Sequence, residues 1–478
     1  MANVNLKDRE ADIVAPTLQA LLNSVDNLKV VELPTEKLSP SIQMVPNKFR
    51  DISPGSFNPR VVSIGPLHRD DEHLQPFENQ KAGYMRSLIR RVYCSRVQTL
   101  DACVRKVAAS IDKIKACYDE MKPYADVELA KMMVMDACFI LEFCYRISDC
   151  DDSVPAGNIS LAQSIIRDLV LVENQIPFFV LNDLFECTIL ALEPDSSVTD
   201  FIFPALKLIT PFEGKLRIFD HDTSTNYNHV LDILHKSYKP NSNKEKHASF
   251  FVTTSYTTVE LAKAGVNFKP NQNEPGALTM EFQSSYEPNY KKEIHTSFFV
   301  PTSYTAVELA KAGVNFKPNQ NEPGALTMEF QSSTFNPTFT MPILRIEEYT
   351  ESVLRNLIAY EQSFLNVGNH VTSYAVAMMK LIDTKEDLLK LVESKIVANH
   401  PSGHQYIVDM IQGLCQEVVL KEFSYGQSWR KMDEYCNSGL GWIRRTYFTG
   451  TWSYIASVSG LILFLLTAIQ TYCAIRSL

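Results

Sequence analysis

Six polar residues sit inside or beside apolar stretches of the 478-residue chain and are the first candidates for chemistry: Asp136, Glu142, Asp168, Glu173, Asn174 and Glu361. A buried carboxylate is costly unless it is paired or its pKa moves, so each of these groups needs a partner, structural or functional. Two carboxylates on one helix face can work as general acid and general base. Asp136 and Glu142 are six residues apart, which is about 120° around a helix at about 100° per residue. They do not share a face, and Asp168 and Glu173 are likewise spread apart. The spacing reads as a buried polar network joining core helices, with Arg146 and Arg167 as available cations. The alternative is an uncharacterised pocket near Asp136, Glu173, Asn174 and Glu361.

Other chemistry is thin. The chain has no GxSxG nucleophile elbow, no GxxxxGK[ST] phosphate loop, no GxGxxG and no HExxH. GLGWIR at Gly439 lacks the third glycine. His400 and His404 are separated by Pro401 and Gly403 and are not expected to share a helix face. His68 and His73 flank RDDE, which reads as a solvated loop. The ten cysteines include no CxxC pair and lie mostly in apolar surroundings such as ACFILEFC, so they read as buried reduced thiols. The expectation is no catalytic, cofactor or metal site, and a protein that is not an enzyme. Asn158-Ile159-Ser160 is a glycosylation sequon, whereas Asn336 is followed by proline.

The elements that must position these groups are mostly helical. Residues 1–45 read as an amphipathic helix (roughly 10–30) and a polar linker, and 46–68 as an ordered loop with one short strand, VVSI. Helical spacing runs from Glu72 to about Met121, with Ile89, Val92, Tyr93, Val97 and Leu100 recurring on it. Val127 to Ile147 is too long and apolar for a strand and reads as a central buried helix. Ser160 to Val172 is another helix, and Pro177 marks a boundary after it. Residues 193–247 read as polar loop interrupted by one helix, roughly 228–237. After the repeat described next, ILRI reads as a strand, and a helix follows from about Thr350. Further amphipathic helices are expected over 371–397 and 404–420, and 421–450 reads as a polar, aromatic approach to the membrane. The expected fold class is mostly α with a small β element (α+β): a single large helical domain over 46–445 and one C-terminal transmembrane helix.

Residues 249–285 and 297–333 are nearly identical at an offset of 48, differing only at Thr253 against Pro301 and Thr258 against Ala306. Solenoids usually stack about three or more diverged units, so this is a recent tandem duplication or a gene-model artefact. Each unit reads as a short helix, the loop NQNEPG and a strand, ALTMEFQ. One copy is expected to belong to the domain and the other to be extruded.

Tyr454 to Ile475 holds 22 residues without a charge, about 33 Å of helix against a hydrocarbon core of about 30 Å. Trp452, Tyr454 and Tyr472 stand near its ends, where amphipathic rings favour an interface. The N-terminus, broken by Lys7, Asp8, Arg9, Glu10 and Asp12, does not read as a signal peptide. The expected location is therefore a plasma membrane or endomembrane, single-pass through a C-terminal tail anchor in the lipid bilayer, with the large domain cytosolic. Ala456 with Gly460, and Ser453 with Ser457, offer a seam for a helix–helix dimer. Lys plus Arg is 46 against 55 Asp plus Glu, a net charge of −9, which argues against a nucleic-acid partner.

Taken together, VVSIGPLH (61–68), MMVMDACFILEF (132–143), DLVLVENQIPFFVL (168–181), ELAKAGVNF (260–268 and 308–316), PILRIEEYTESVLRNLIAYEQ (342–362), VTSYAVAMMKLIDTKEDLLKL (371–391), LCQEVVL (414–420) and YFTGTW with the segment after it (447–475) resemble the plant domain-of-unknown-function 247 family, also described as UPF0481 proteins. The doubled unit departs from the family's single copy. The resemblance implies a plant protein with a C-terminal membrane anchor, no established catalysis and no transferable active-site residues. With the absence of catalytic motifs, it points to a protein-interaction or signalling and recognition component with unknown protein partners. The alternatives are an uncharacterised enzyme or a non-functional recent duplicate.

Overall fold

The computed structural model describes residues 40–92, 96–149, 156–214, 216, 227–240, 266–270, 278–282, 297–298, 304–319, 326–334, 336–364, 366–398, 403–420, 423–439, 441, 444 and 451–476. The expected opening helix and most of the linker (1–39) lie outside them.

One helix organises the N-terminal half of the core. The sequence from Asp126 to Asp149 contains neither glycine nor proline, places Asp126 and Glu128 in its first turn and Arg146 in its last, and forms a 24-residue helix. From Met132 to Cys144 every residue but Met135 is buried, and all but Asp136 and Glu142 are apolar, so this stretch faces protein on nearly every side. We number the helices in chain order: α1 (Asn47–Arg50), α2 (Gln75–Arg91), α3 (Arg96–Ala109), α4 (Ile111–Ala116), α5 (Asp126–Asp149), α6 (Ala156–Leu169), α7 (Phe178–Cys187), α8 (Val198–Lys207) and α9 (Val230–Ser237). Helices α2, α3, α4, α7 and α8 all pack on α5. Leu129, Met133, Ala137, Cys138, Phe139, Ile140 and Leu141 are buried in one continuous core. Burial also pushes the Cys144 thiol up to about 12, so it packs as an inert apolar side chain.

The second half adds α10 (Ala306–Lys311), α11 (Thr350–Ser363), α12 (His370–Leu381), α13 (Lys385–Glu393), α14 (His404–Leu414), α15 (Gly426–Asn437) and α16 (Thr451–Arg476). Among the described residues, three small sheets accompany them. Strands β1 (Val266–Pro270), β2 (Leu278–Phe282) and β3 (Ser297–Phe298) form an antiparallel meander. In the next sheet, β6 (Thr338–Met341) lies centrally, parallel to β4 (Asn315–Pro318) and antiparallel to β5 (Glu329–Gln331). The third pairs β7 (Leu344–Arg345) in parallel with β8 (Val397–Ala398).

The second repeat copy is built into the core: Leu309, Val314, Phe316, Leu326, Met328 and Phe330 are buried. Its helix α10 starts at a reciprocal cap. The Thr305 amide donates to Glu308 Oε2 at 3.0 Å, and the Glu308 amide to Thr305 Oγ1 at 3.4 Å. It also contains β4, a strand the sequence reading left as loop. Most of the first copy lies outside the described residues. Among those described, its strands β1 and β2 pair with each other, β2 also pairs with β3 at the start of the second copy, and neither pairs with a strand of the other two sheets.

Several expectations need correction. Residues 193–247 hold a second helix, α8, masked in the sequence by Pro204 inside it. VVSI is not a strand, for reasons set out below. Residues 421–450 are not a membrane approach over α15, because Trp429 and Tyr435 are buried. The Trp429 ring lies 5.5 Å from Phe339 and 5.2 Å from Phe423.

The expected transmembrane helix is also not supported. Helix α16 covers Tyr454 to Ile475, but among the described residues no helix is long and apolar enough to cross a membrane. Lack of charge is not the same as apolarity. Ser457, Ser459, Gly460, Thr467, Gln470 and Thr471 lie within the segment. The fold is mostly helical with small sheets, and the expected single-pass membrane location falls with the span. Of the small-residue seam, only Gly460 has described surroundings, and a Cβ there would meet nothing within 4 Å.

Candidate functional site

Residues 60–65 form no strand. Their backbone groups are instead satisfied by the candidate side chains, which stand in for one. Asp168, on α6, accepts the amides of Arg60 (3.0 Å), Val61 (2.6 Å) and Val62 (3.1 Å). Asn174 accepts the Ile64 amide at 2.7 Å and donates to the Val62 and Asp168 carbonyls at 3.0 and 2.9 Å. Asp136, on α5, accepts the Gly65 amide at 2.8 Å. Gly65 has φ +73°, and a Cβ there would run into the Gln175 carbonyl oxygen, so only glycine fits this turn.

Behind this loop are buried ion pairs. Lys81 Nζ sits 2.7 Å from Asp136 Oδ1, with both side chains fully buried, and also donates to the Ser63 carbonyl. Burial raises the Asp136 carboxyl above its ordinary range, against the pull of Lys81. Arg167 Nη1 lies 2.9 Å from Asp168. Glu142, on the other side of α5, takes Arg91 at 2.9 Å and Arg146 at 2.8 Å. Glu173 accepts the Val45 amide at 2.6 Å, Arg50, and His68 Nε2 at 2.9 Å, while His68 Nδ1 lies 2.9 Å from Asp71. For Glu173, burial acts to raise the pKa but His68 and Arg50 outweigh it and lower it. For His68, burial acts to lower the pKa, but Glu173 and Asp71 together raise it.

Glu361, on α11, stands apart from this group. Its carboxylate accepts the amides of Val371 (2.9 Å) and Thr372 (2.7 Å) at the start of α12, and His235 Nε2 from α9 at 2.8 Å. His370 Nδ1 lies 3.9 Å away, and His370 Nε2 is 2.9 Å from the His235 carbonyl. Burial acts to raise the Glu361 pKa, but His235, His370 and Thr372 lower it. Burial pushes His370 down to about 3.

The structure therefore brings Asp136, Asp168 and Asn174 to one loop, sets Glu173 against Val45, Arg50 and His68, leaves Glu142 with Arg91 and Arg146, and sets Glu361 in a histidine cluster. Their polar atoms face amides and cations rather than a shared open cleft. The sequence reading missed Lys81, His235 and His370. Lys81 follows an ordinary amphipathic pattern, and His235 lies 126 residues from Glu361, so no local spacing marks either.

Elsewhere the surface carries an apolar groove of about 600 Å³ between α2, α3, α4 and α5. Met85, Leu100, Val104, Ile111, Val127 and Val134 line it, with Asp126 and Lys131 at its rim. Val127 is 82% exposed, and Val97, one turn before Leu100, is 77% exposed.

These features define a mostly helical protein in which buried carboxylates brace a loop and an apolar groove lies open on the surface. The chain belongs to the DUF247 family, described as plant protein of unknown function, whose model matches residues 42–466. It is similar to the UPF0481 protein At3g47200 of Arabidopsis thaliana, at 27% identity over 92% of this chain and 87% of that one. It is also similar to the putative UPF0481 protein At3g02645 of the same plant, at 24% identity over 92% and 91%. No solved structure matches.

Proposed function

We propose that this protein is a non-catalytic recognition component that takes one amphipathic helix of a partner protein into the groove between α3 and α5. The observation that carries this reading is the groove itself. Val97, Leu100, Val104 and Ala108 recur at helical spacing on α3 and stay exposed, and the last three line the groove with Val127 and Ala130 of α5. Two helices framing an apolar channel suit a third helix with anchors at i, i+3 or i+4, and i+7. A rim holding one acid, Asp126, and one base, Lys131, suits a partner helix with charge of both signs at its margins. The net charge of −9 favours protein over nucleic acid as the partner. The non-catalytic part is supported by the buried carboxylates, whose oxygens hold the 60–65 loop and ion pairs.

The test is a photo-crosslinking residue at Val127 of the full-length chain in native plant extract. The expected product joins position 127 to an apolar face of one helix in a partner protein. Cross-links only to a second copy of this chain, or none above a control at Val419, exposed and outside the groove, would overturn the reading.

A further inference from the structure

We propose that His235, Glu361 and His370 form a binding site for one divalent transition-metal ion, zinc being the natural occupant. Two imidazoles and one carboxylate make a common zinc ligand set. The three donors come from different helices, α9, α11 and α12, and their ligating atoms lie within 4.8 Å of one another. A shared ion draws such donors closer, since zinc holds nitrogen and oxygen at about 2.0–2.2 Å.

Two further observations favour a cation here. The first is charge. Asp136, Glu142, Asp168 and Glu173 each meet a Lys or Arg, whereas the side chains paired with Glu361 are the two histidines. Glu361 is a buried carboxylate without a permanent positive partner, and a divalent ion would supply one. The second is orientation. His370 directs Nε2–H to the His235 carbonyl at 2.9 Å, which leaves Nδ1 with a lone pair on the Glu361 side. A histidine ligand is commonly fixed by such an outer hydrogen bond. His235 Nε2 faces the carboxylate at 2.8 Å and carries the ring proton. When the ion takes Nε2, that proton moves to Nδ1, which is buried with no hydrogen-bond partner, and the ring stays neutral.

The site would tie the start of α12 to α9 and α11, making the metal a structural fastener. The test uses the full-length chain, stripped with chelator and dialysed, with zinc chloride as the probe and magnesium chloride as the control. Expected are about one zinc ion per chain by elemental analysis and a rise in thermal midpoint of about 3 °C at a hundredfold excess over Kd. Cobalt(II) in the same wild-type protein should give ligand-field bands without thiolate charge transfer. The variant His370→Gln should lose the shift. No bound zinc and no shift in the wild type would overturn the proposal. So would a cobalt–thiolate band, or full zinc binding by a folded His370→Gln.

Discussion

Lys81 Nζ lies 2.7 Å from Asp136 Oδ1, and neither side chain has any exposed surface. A fully buried pair of this kind is costly to desolvate and costlier still to split. It persists because both ends also hold the same loop: Lys81 takes the Ser63 carbonyl and Asp136 the Gly65 amide. The pair is thus a clasp between α2, α5 and the loop of residues 60–65.

Breaking one side of the clasp leaves a lone buried charge. Lys81→Met alone should destabilise the protein by about 3–5 kcal/mol, and the double variant Lys81→Met/Asp136→Leu by clearly less. Urea unfolding of the two proteins checks this. Equal losses would mean that the charge left behind is not what costs stability.

Asn174 supplies three hydrogen bonds to the same region. Asn174→Ala should cost about 2–4 kcal/mol, because the buried Ile64 amide and the Val62 and Asp168 carbonyls lose partners together. Hydrogen exchange should speed up first at Ile64. Gly65→Ala, strained at φ +73°, should loosen the same loop, whereas Gly83→Ala, with open space around it, should not.

Two histidines give opposite pH dependences. The folded pKa of His68 is raised above 6.5, so its stabilisation is complete below the unfolded value and is lost as pH rises through the folded one. His229, facing Asp232, Lys236 and Tyr360, is pushed by burial down to about 4. Below the unfolded value of about 6.5, only the unfolded chain takes up that proton, and stability falls toward pH 4 by about 1.4 kcal/mol per unit. Denaturation midpoints across pH should show the His68→Gln deficit shrinking as pH rises, and His229→Gln easing the acid loss. A His68→Gln deficit that grows with pH would contradict the sign.

The buried second repeat copy suggests a deletion. Removing residues 249–296, one 48-residue period, joins residue 248 directly to the copy packed in the core. The thermal midpoint should stay within about 2 °C, since surface insertions change loop-closure entropy only slowly with length. In contrast, Phe330→Ala, buried against Phe339 and Tyr435, should cost about 3–5 kcal/mol.

How much of this was legible depended on distance along the chain. Helix α5 was readable because its cause is local: a long apolar run without glycine or proline. The separation of Asp136 from Glu142 followed from helix geometry alone. VVSI misled because alternation promises extended backbone but not a strand partner. That partner turned out to be Asp168 and Asn174, more than 100 residues away. Helix α8 was hidden by Pro204, which α8 tolerates near its C-terminal end. The histidines around Glu361 had no periodicity to reveal them. At the C-terminus, the uncharged run of Tyr454 to Ile475 does form a helix, α16, but among the described residues no helix is long and apolar enough to cross a membrane.

The central claim is that the groove between α3 and α5 binds a partner helix. The most direct measurement is the affinity of the cross-linked partner, purified, for the wild type and for Val127→Asp. Val127 is 82% exposed, so the substitution should leave the thermal midpoint unchanged and weaken binding at least about tenfold, the loss expected for a charge placed in an apolar contact. Unchanged affinity with an intact fold would place the partner elsewhere on the molecule and contradict the claim.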